Sequence, residues 1–157
     1  NPDGIYQIGT IAMIMRMRKL PDGRIKILTQ GLCKAHIDEY VQTNPFFEAK
    51  VTRINDKASE TSSETEALMR TVREQLEKVI SLGKTLSPDI LMVLDDITDP
   101  GRLADLVASN LGLKVAEAQG ILETTNAGER LKKINDILQK ELEILALQAK
   151  IRSQAKD

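Results

Sequence analysis

Tryptophan is absent from this 157-residue chain, and the aromatic content is only 3%: Tyr6, Tyr40, Phe46 and Phe47. Any core must therefore be filled by Leu, Ile, Val, Ala and five Met, which favours helix packing over an aromatic-rich sandwich. A single cysteine, Cys33, excludes an internal disulfide and fits a reducing compartment. One histidine, His36, is too little for a His-based metal cluster, and with Cys33 three positions away it makes no metal site. Long apolar runs are missing too, with 41% of residues hydrophobic, so no membrane span is expected. No basic stretch followed by an apolar run stands near Asn1, so no targeting segment is visible. The formal net charge is −1, which argues against a strongly cationic nucleic-acid binder.

That near-neutral charge is unevenly spread. Residues 1–54 carry eight basic and five acidic side chains, whereas 55–157 carry fourteen and eighteen, giving +3 and −4. The chemistry of the chain changes at the same place. Residues 1–55 read as a β-rich lobe, 56–65 as a polar linker with nothing to anchor a core, and 66–157 as a helical bundle. The expected class is α+β, with an antiparallel β lobe followed by helices and ending in one long helix.

In the first half, Ile8 to Leu20 alternates two sets of side chains, with Ile11, Met13, Met15 and Met17 on one side and Ala12, Ile14, Arg16 and Arg18 on the other. Pro21-Asp22-Gly23 supplies a hairpin turn into a second strand, Arg24 to Thr29. After Gly31 come a third run, Leu32 to Ile37, and a fourth, Phe46 to Ile54. A four-stranded meander with so few large residues has a thin core and needs a further covering.

Helix starts are legible in the second half. Ser63-x-x-Glu66 reads as a capping box, Ser87-Pro88 and Asp99-Pro100 as N-cap and first-turn pairs, and Asn126 with Glu129 as the start of the last helix. Gly112 is placed to end the third helix in a left-handed cap. On the last helix Leu131, Ile134, Leu138, Leu142, Leu145 and Ala149 repeat at three and four residues. Ile137, Ile144, Leu147 and Ile151 form a neighbouring stripe, so two coverings are required.

Catalytic constellations are hard to find. Gly83-Lys84-Thr85 imitates the end of a phosphate-binding loop, but position 78 is Lys where a Walker A needs Gly, and the triplet lies between two helices. Cys33 and His36 point to opposite faces of a strand, so they form no dyad. No serine has a neighbouring base, and the expected catalytic and metal residues are none. Arg16, Arg18, Lys19, Arg24, Lys26 and Lys34 cluster on adjacent strands and could bind phosphates, but no stacking aromatics stand among them.

The run Gly9-Thr-Ile-Ala-Met-Ile-Met-Arg-Met-Arg-Lys-Leu-Pro-Asp-Gly-Arg-Ile-Lys-Ile-Leu-Thr-Gln-Gly31, followed by Lys34-Ala-His-Ile37, resembles the amino-terminal domain of Lon, the ATP-dependent protease. Leu86-Ser-Pro-Asp-Ile-Leu91, Asp99-Pro-Gly-Arg-Leu-Ala-Asp-Leu-Val-Ala108, Gln119-Gly-Ile-Leu-Glu-Thr124 and Glu129-Arg-Leu131 resemble the same family in the same order. The resemblance implies a PUA-like β lobe, here partial, joined to a helical bundle whose long helix leads toward an ATPase module. It implies a chain without ATPase motifs or Ser-Lys protease dyad, so no enzyme in itself, with ATP and magnesium expected only in the ATPase module. Its implied work is capture of unfolded or damaged proteins and support of a hexamer, in a bacterial cytoplasm rather than a mitochondrial matrix, with no membrane partner.

On that implication, Met13, Met15, Met17, Phe46 and Phe47 are the expected substrate-binding residues. Leu142, Leu145 and Leu147 are the expected self-association residues. The competing reading is a regulatory nucleic-acid module using Arg16, Arg18, Arg24 and Lys26, since the β-lobe type also occurs in RNA-binding proteins and the family contacts DNA.

Overall fold

The computed structural model describes residues 1–55, 62–87 and 89–156, so most of the expected linker, 56–61, and Pro88 lie outside the described residues. Two compact units divide the chain, Asn1–Asn55 and Asp56–Asp157.

The first unit opens with a one-turn 3-10 helix, Pro2–Gly4, and then forms three antiparallel strands: β1 (Ile8–Lys19), β2 (Ile25–Gln42) and β3 (Glu48–Ile54), in the order β1-β2-β3. Gly23, at φ 87°, closes the β1–β2 turn, where the Leu20 amide donates to the Arg24 carbonyl at 2.8 Å and Asp22 Oδ1 accepts from the Arg24 amide at 3.0 Å. Gln42 Nε2 donates to the Phe46 carbonyl across the second connection, which contains a cis Asn44–Pro45 bond.

Three strands replace the expected four because Gly31 is not a turn. It sits inside β2 opposite Ala12, and Leu32 is the extra residue of a bulge there. A Cβ at Gly31 would meet the Thr10 methyl at 3.3 Å, so the glycine admits a close side-chain approach. The last strand begins at Glu48 rather than Phe46, which leaves Phe46 and Phe47 in the connection before it. A second bulge falls at Met15, between the pairs Ile14/Thr29 and Arg16/Leu28, and a third at Asp38. As expected from the scarcity of large side chains, the only buried apolar residue among those described in this unit is Ala35, 4% exposed.

The second unit contains α1 (Ser63–Ser81), α2 (Ile90–Asp95), α3 (Pro100–Asn110), α4 (Val115–Glu123) and α5 (Ala127–Lys156). The cap of α1 is Ser62, whose Oγ accepts from the Thr65 amide at 3.1 Å, so the expected Ser63/Glu66 box is displaced by one residue and Ser63 is already helical. The α2 N-cap is Asp89, without a side-chain cap bond, rather than Ser87. Asp99 caps α3 by accepting from the Arg102 amide, with Pro100 in the first turn, and Gly112 follows the helix at φ 63°. Asn126 Oδ1 accepts from the Glu129 amide at the start of α5.

Met69, Val72, Leu76 and Val79 of α1 form one core with Leu103 and Val107 of α3 and Leu131, Ile134 and Leu138 of α5. Side chains tie the loops to this core by reaching backbone carbonyls. Arg73 donates to the Leu94 and Ile97 carbonyls at the end of α2. Arg130, fully buried, donates from a guanidinium NH₂ group to the Thr124 carbonyl at 3.3 Å and lies 3.5 Å from the Asp105 carboxylate. On α5, Leu142 and Leu145 are half-buried against the core, while Ile144, Leu147 and Ile151 are exposed.

Candidate functional site

Among the described residues, no group of His, Cys, Asp and Glu could hold a metal ion. Cys33 is half-buried opposite Ile11, whereas His36 pairs with Ile8 and Thr52 on the other face of β2. Lys84 donates to the Leu111 carbonyl at 3.1 Å and lies 3.5 Å from Glu141, which makes it a structural tie within the helical unit.

A polar cluster surrounds Asp38, the bulge residue of β2. Thr52 Oγ1 donates to Asp38 Oδ2 at 2.6 Å, and His36 Nδ1 lies 3.0 Å from Asp38 Oδ1. The Thr52 hydroxyl bond first, then the His36 contact, holds the Asp38 carboxyl below its ordinary pKa. A carboxyl lowered in the folded state stabilises the fold above its unfolded pKa, and that contribution disappears as pH falls through the folded value. The hydroxyl is engaged as a donor to a carboxylate on an exposed face, with no general base poised on it. Thr52→Val is expected to raise the Asp38 pKa toward that of an ordinary aspartate, seen as a displaced carboxyl titration by NMR, and an unmoved titration would refute that cause.

Two apolar features of the β unit stand out more. The first is a shallow trough of about 370 Å³ lined by Ile5, Ile11, Ile37, Tyr40, Phe47 and Val51. Tyr40 and Phe47 meet edge to face there, with centroids 5.6 Å apart. The second is the hairpin of β1 and β2. Among the described residues, β3 pairs with β2 only between Lys34 and Gln42, so 12–31 form a two-stranded ribbon in which all residues but Leu20 are exposed. Ile14 at 63%, Met17 at 60% and Leu28 at 61% exposure are large apolar groups offered to solvent, beyond what isolated surface hydrophobics explain.

Cross-strand partners share a face, so the register sorts this ribbon. Met17 lies opposite Ile27, and Ile14 opposite Thr29, on one face; Arg16 lies opposite Leu28, Arg18 opposite Lys26 and Met13 opposite Gln30 on the other. The expected single stripe of Met13, Met15 and Met17 is therefore broken: Met15 is the bulge residue, and Met13 and Met17 fall on opposite faces. The methionines are exposed all the same, as are Phe46 and Phe47. Arg16, Arg18 and Lys26 share a face, while Arg24 stands at the turn in an ion pair with Asp22. Ile14, Ile25, Ile27 and Leu28 are exposed surface-forming groups that strand alternation alone does not single out. Their signal was the mismatch between a twelve-residue β1 and a seven-residue β3, which leaves the far end of any hairpin without a third strand. Of the three leucines expected in self-association, Leu142 and Leu145 pack partly on their own core and only Leu147 is exposed, beside Ile144 and Ile151.

With this geometry in place, comparison with known proteins is decisive. Residues 1–140 match the model of the ATP-dependent protease La (LON) substrate-binding domain. The chain belongs to the Lon substrate-binding domain family. Lon protease 2 of Bdellovibrio bacteriovorus is 56% identical over 158 aligned positions, covering 100% of this chain and 20% of the relative. The Lon protease of Trichlorobacter lovleyi is 54% identical over 156 positions, covering 99% of this chain and 19% of the relative. The chain thus spans about a fifth of the length of these Lon proteases.

The fold agrees with Lon amino-terminal domains. That of the Mycobacterium avium complex enzyme superposes with a TM-score of 0.69 at 24% identity, covering 85% of this chain and 70% of the other. That of Xanthomonas campestris gives 0.56 at 18% identity, covering 84% and 69%. The antiparallel β lobe followed by a helical bundle, expected from the resemblance, is therefore the Lon amino-terminal architecture. Among the described residues, no helix is long and apolar enough to cross a membrane.

Proposed function

We propose that this Lon substrate-binding domain captures unfolded or damaged polypeptides through the exposed apolar groups of its β unit, for degradation by a Lon-type protease in a bacterial cytoplasm. The observation that carries the reading is the ribbon of residues 12–31, where Ile14, Met15, Met17, Ile25, Ile27 and Leu28 are all exposed. Folded proteins bury such groups, so a surface of this kind discriminates for chains that have not. Flexible thioethers at Met13, Met15 and Met17 suit it to varied partners, with Phe46 and Phe47 extending the apolar area beside the trough. Individually weak contacts gain strength when repeated around a hexamer, to which Leu147, with the half-buried Leu142 and Leu145, contributes from α5. The chain hydrolyses neither ATP nor peptide bonds in this reading, and ATP and magnesium act in a separate ATPase module.

A regulatory contact to DNA is the second reading, favoured by Arg16, Arg18 and Lys26 sharing one face, with Arg24 at the turn. Titrating the chain with a permanently unfolded protein and with a DNA duplex, each at low and high salt, separates the two. Unfolded protein is expected to bind at both salts and to lose about tenfold in affinity with Met15→Gln and Met17→Gln combined. DNA binding that falls steeply with salt and vanishes with Arg16→Ala and Arg18→Ala, without capture of unfolded protein, would establish the second reading instead.

A further inference from the structure

We infer that the free edge of β2 between Ile25 and Thr29 accepts a polypeptide as an added strand, and that this edge selects segments in which apolar and acidic residues alternate. The inference rests on the capture reading and names the kind of segment captured. Edge availability is the first observation. Among the described residues, β3 pairs with β2 only from Lys34 onward, and the ribbon stretch from Ile25 to Thr29 is hydrogen-bonded on its β1 side alone. Its outward backbone groups form a template for a further strand. β1 is the poorer template, because the bulge at Met15 interrupts its backbone row.

The second observation is how the Met15 bulge sorts the side chains. Ile14, Met17, Ile25 and Ile27 occupy one face of the ribbon, with Lys19 opposite Ile25 as its one cation, whereas Arg16, Arg18 and Lys26 occupy the other together with Leu28. A strand laid along β2 extends both faces with a period of two. Every second residue of the incoming segment then joins the apolar face beside Ile25 and Ile27, and the intervening residues join the face that holds Lys26 and Arg18. Apolar residues are favoured at the first set and carboxylates at the second. Overall charge agrees with the local pattern: between Thr10 and Leu32 the ribbon carries Arg16, Arg18, Lys19, Arg24 and Lys26 against Asp22 alone. A segment with lysines at the alternate positions meets like charge, which rejects it.

Three labelled peptides of about eight residues, the length of an ordinary strand, test this with the whole chain by fluorescence anisotropy at low salt. One alternates valine with glutamate, the second has the same composition with its valines and glutamates in blocks, and the third alternates valine with lysine. The alternating acidic peptide is expected to bind about tenfold tighter than either of the others, as several favourable cross-strand pairs require. It is also expected to slow hydrogen exchange at alternate amides between Ile25 and Thr29. Arg18→Glu with Lys26→Glu, both at exposed positions, is expected to reverse the order of the glutamate and lysine peptides. Equal binding of alternating and blocked peptides, or no change in exchange along β2, overturns strand addition while leaving capture of unfolded protein standing. Failure of both unfolded protein and all three peptides to bind overturns the capture reading and this inference together. A DNA duplex that alone slows exchange along β2 overturns it in favour of a nucleic-acid arm.

Discussion

Arg130→Ala is expected to cost the helical unit about 3–5 kcal/mol, read from the midpoint of urea unfolding followed by helical circular dichroism. The size follows from what one side chain holds together. Its guanidinium is fully buried yet bonds the Thr124 carbonyl at 3.3 Å, on the connection between α4 and α5, and sits 3.5 Å from the carboxylate of Asp105 on α3. Truncation removes a fully buried side chain beyond its Cβ and strips that carbonyl of a charged donor. Arg130→Lys is expected to recover only part of the loss, since an ammonium group cannot reproduce a planar fork aimed at two acceptors. A variant as stable as the parent would show that the cation sits in this core without holding it.

Leu131→Ala is expected to be nearly as damaging, at about 2–5 kcal/mol, whereas Leu147→Ala on the same helix is expected to stay within about 0.5 kcal/mol. Both residues belong to the apolar repeat of α5, but Leu131 is fully buried among α1 and α3 side chains and Leu147 is 58% exposed. Equal costs at the two positions would mean that the distal stretch is packed in the isolated chain. The comparison thus separates the half of α5 that builds its own unit from the half that offers apolar groups outward.

Much of the helical half could be read from its residues. Asp99-Pro100, Gly112 and Asn126 act through one or two local hydrogen bonds or a single backbone angle, so a short stretch of sequence contains the whole cause. The α1 cap slipped by one because Ser62 and Ser63 are chemically equal candidates, and choosing between them depends on which serine leaves the extended region. In the β half the difficulty was of a different kind. Gly31 and Met15 look like a turn and a stripe member when β1 and β2 are read separately, because a bulge exists only as a relation between two paired strands. The hairpin turn at Gly23, being local, was legible, while the facing of Met13, Met17, Arg16 and Arg18 was not. Exposure of the candidate apolar residues followed from the shortage of material to cover them; the sorting that gives the ribbon its two faces followed from the register.

The way α5 is mounted bears on motion as much as on surface. Its inward contacts run from Ala127 to Leu145, and the helix then continues to Lys156, about 16 Å at the rise of an α-helix. A rod clamped along its first part, and exposed beyond it among the described residues, behaves as a lever. A swing of about ten degrees at the clamp carries the far turn through about 3 Å, comparable to half the pitch of a helix. Small repacking around Ile134 and Leu138 would therefore register as displacement at Ile151, turning the tightness of one core into a position at a distance.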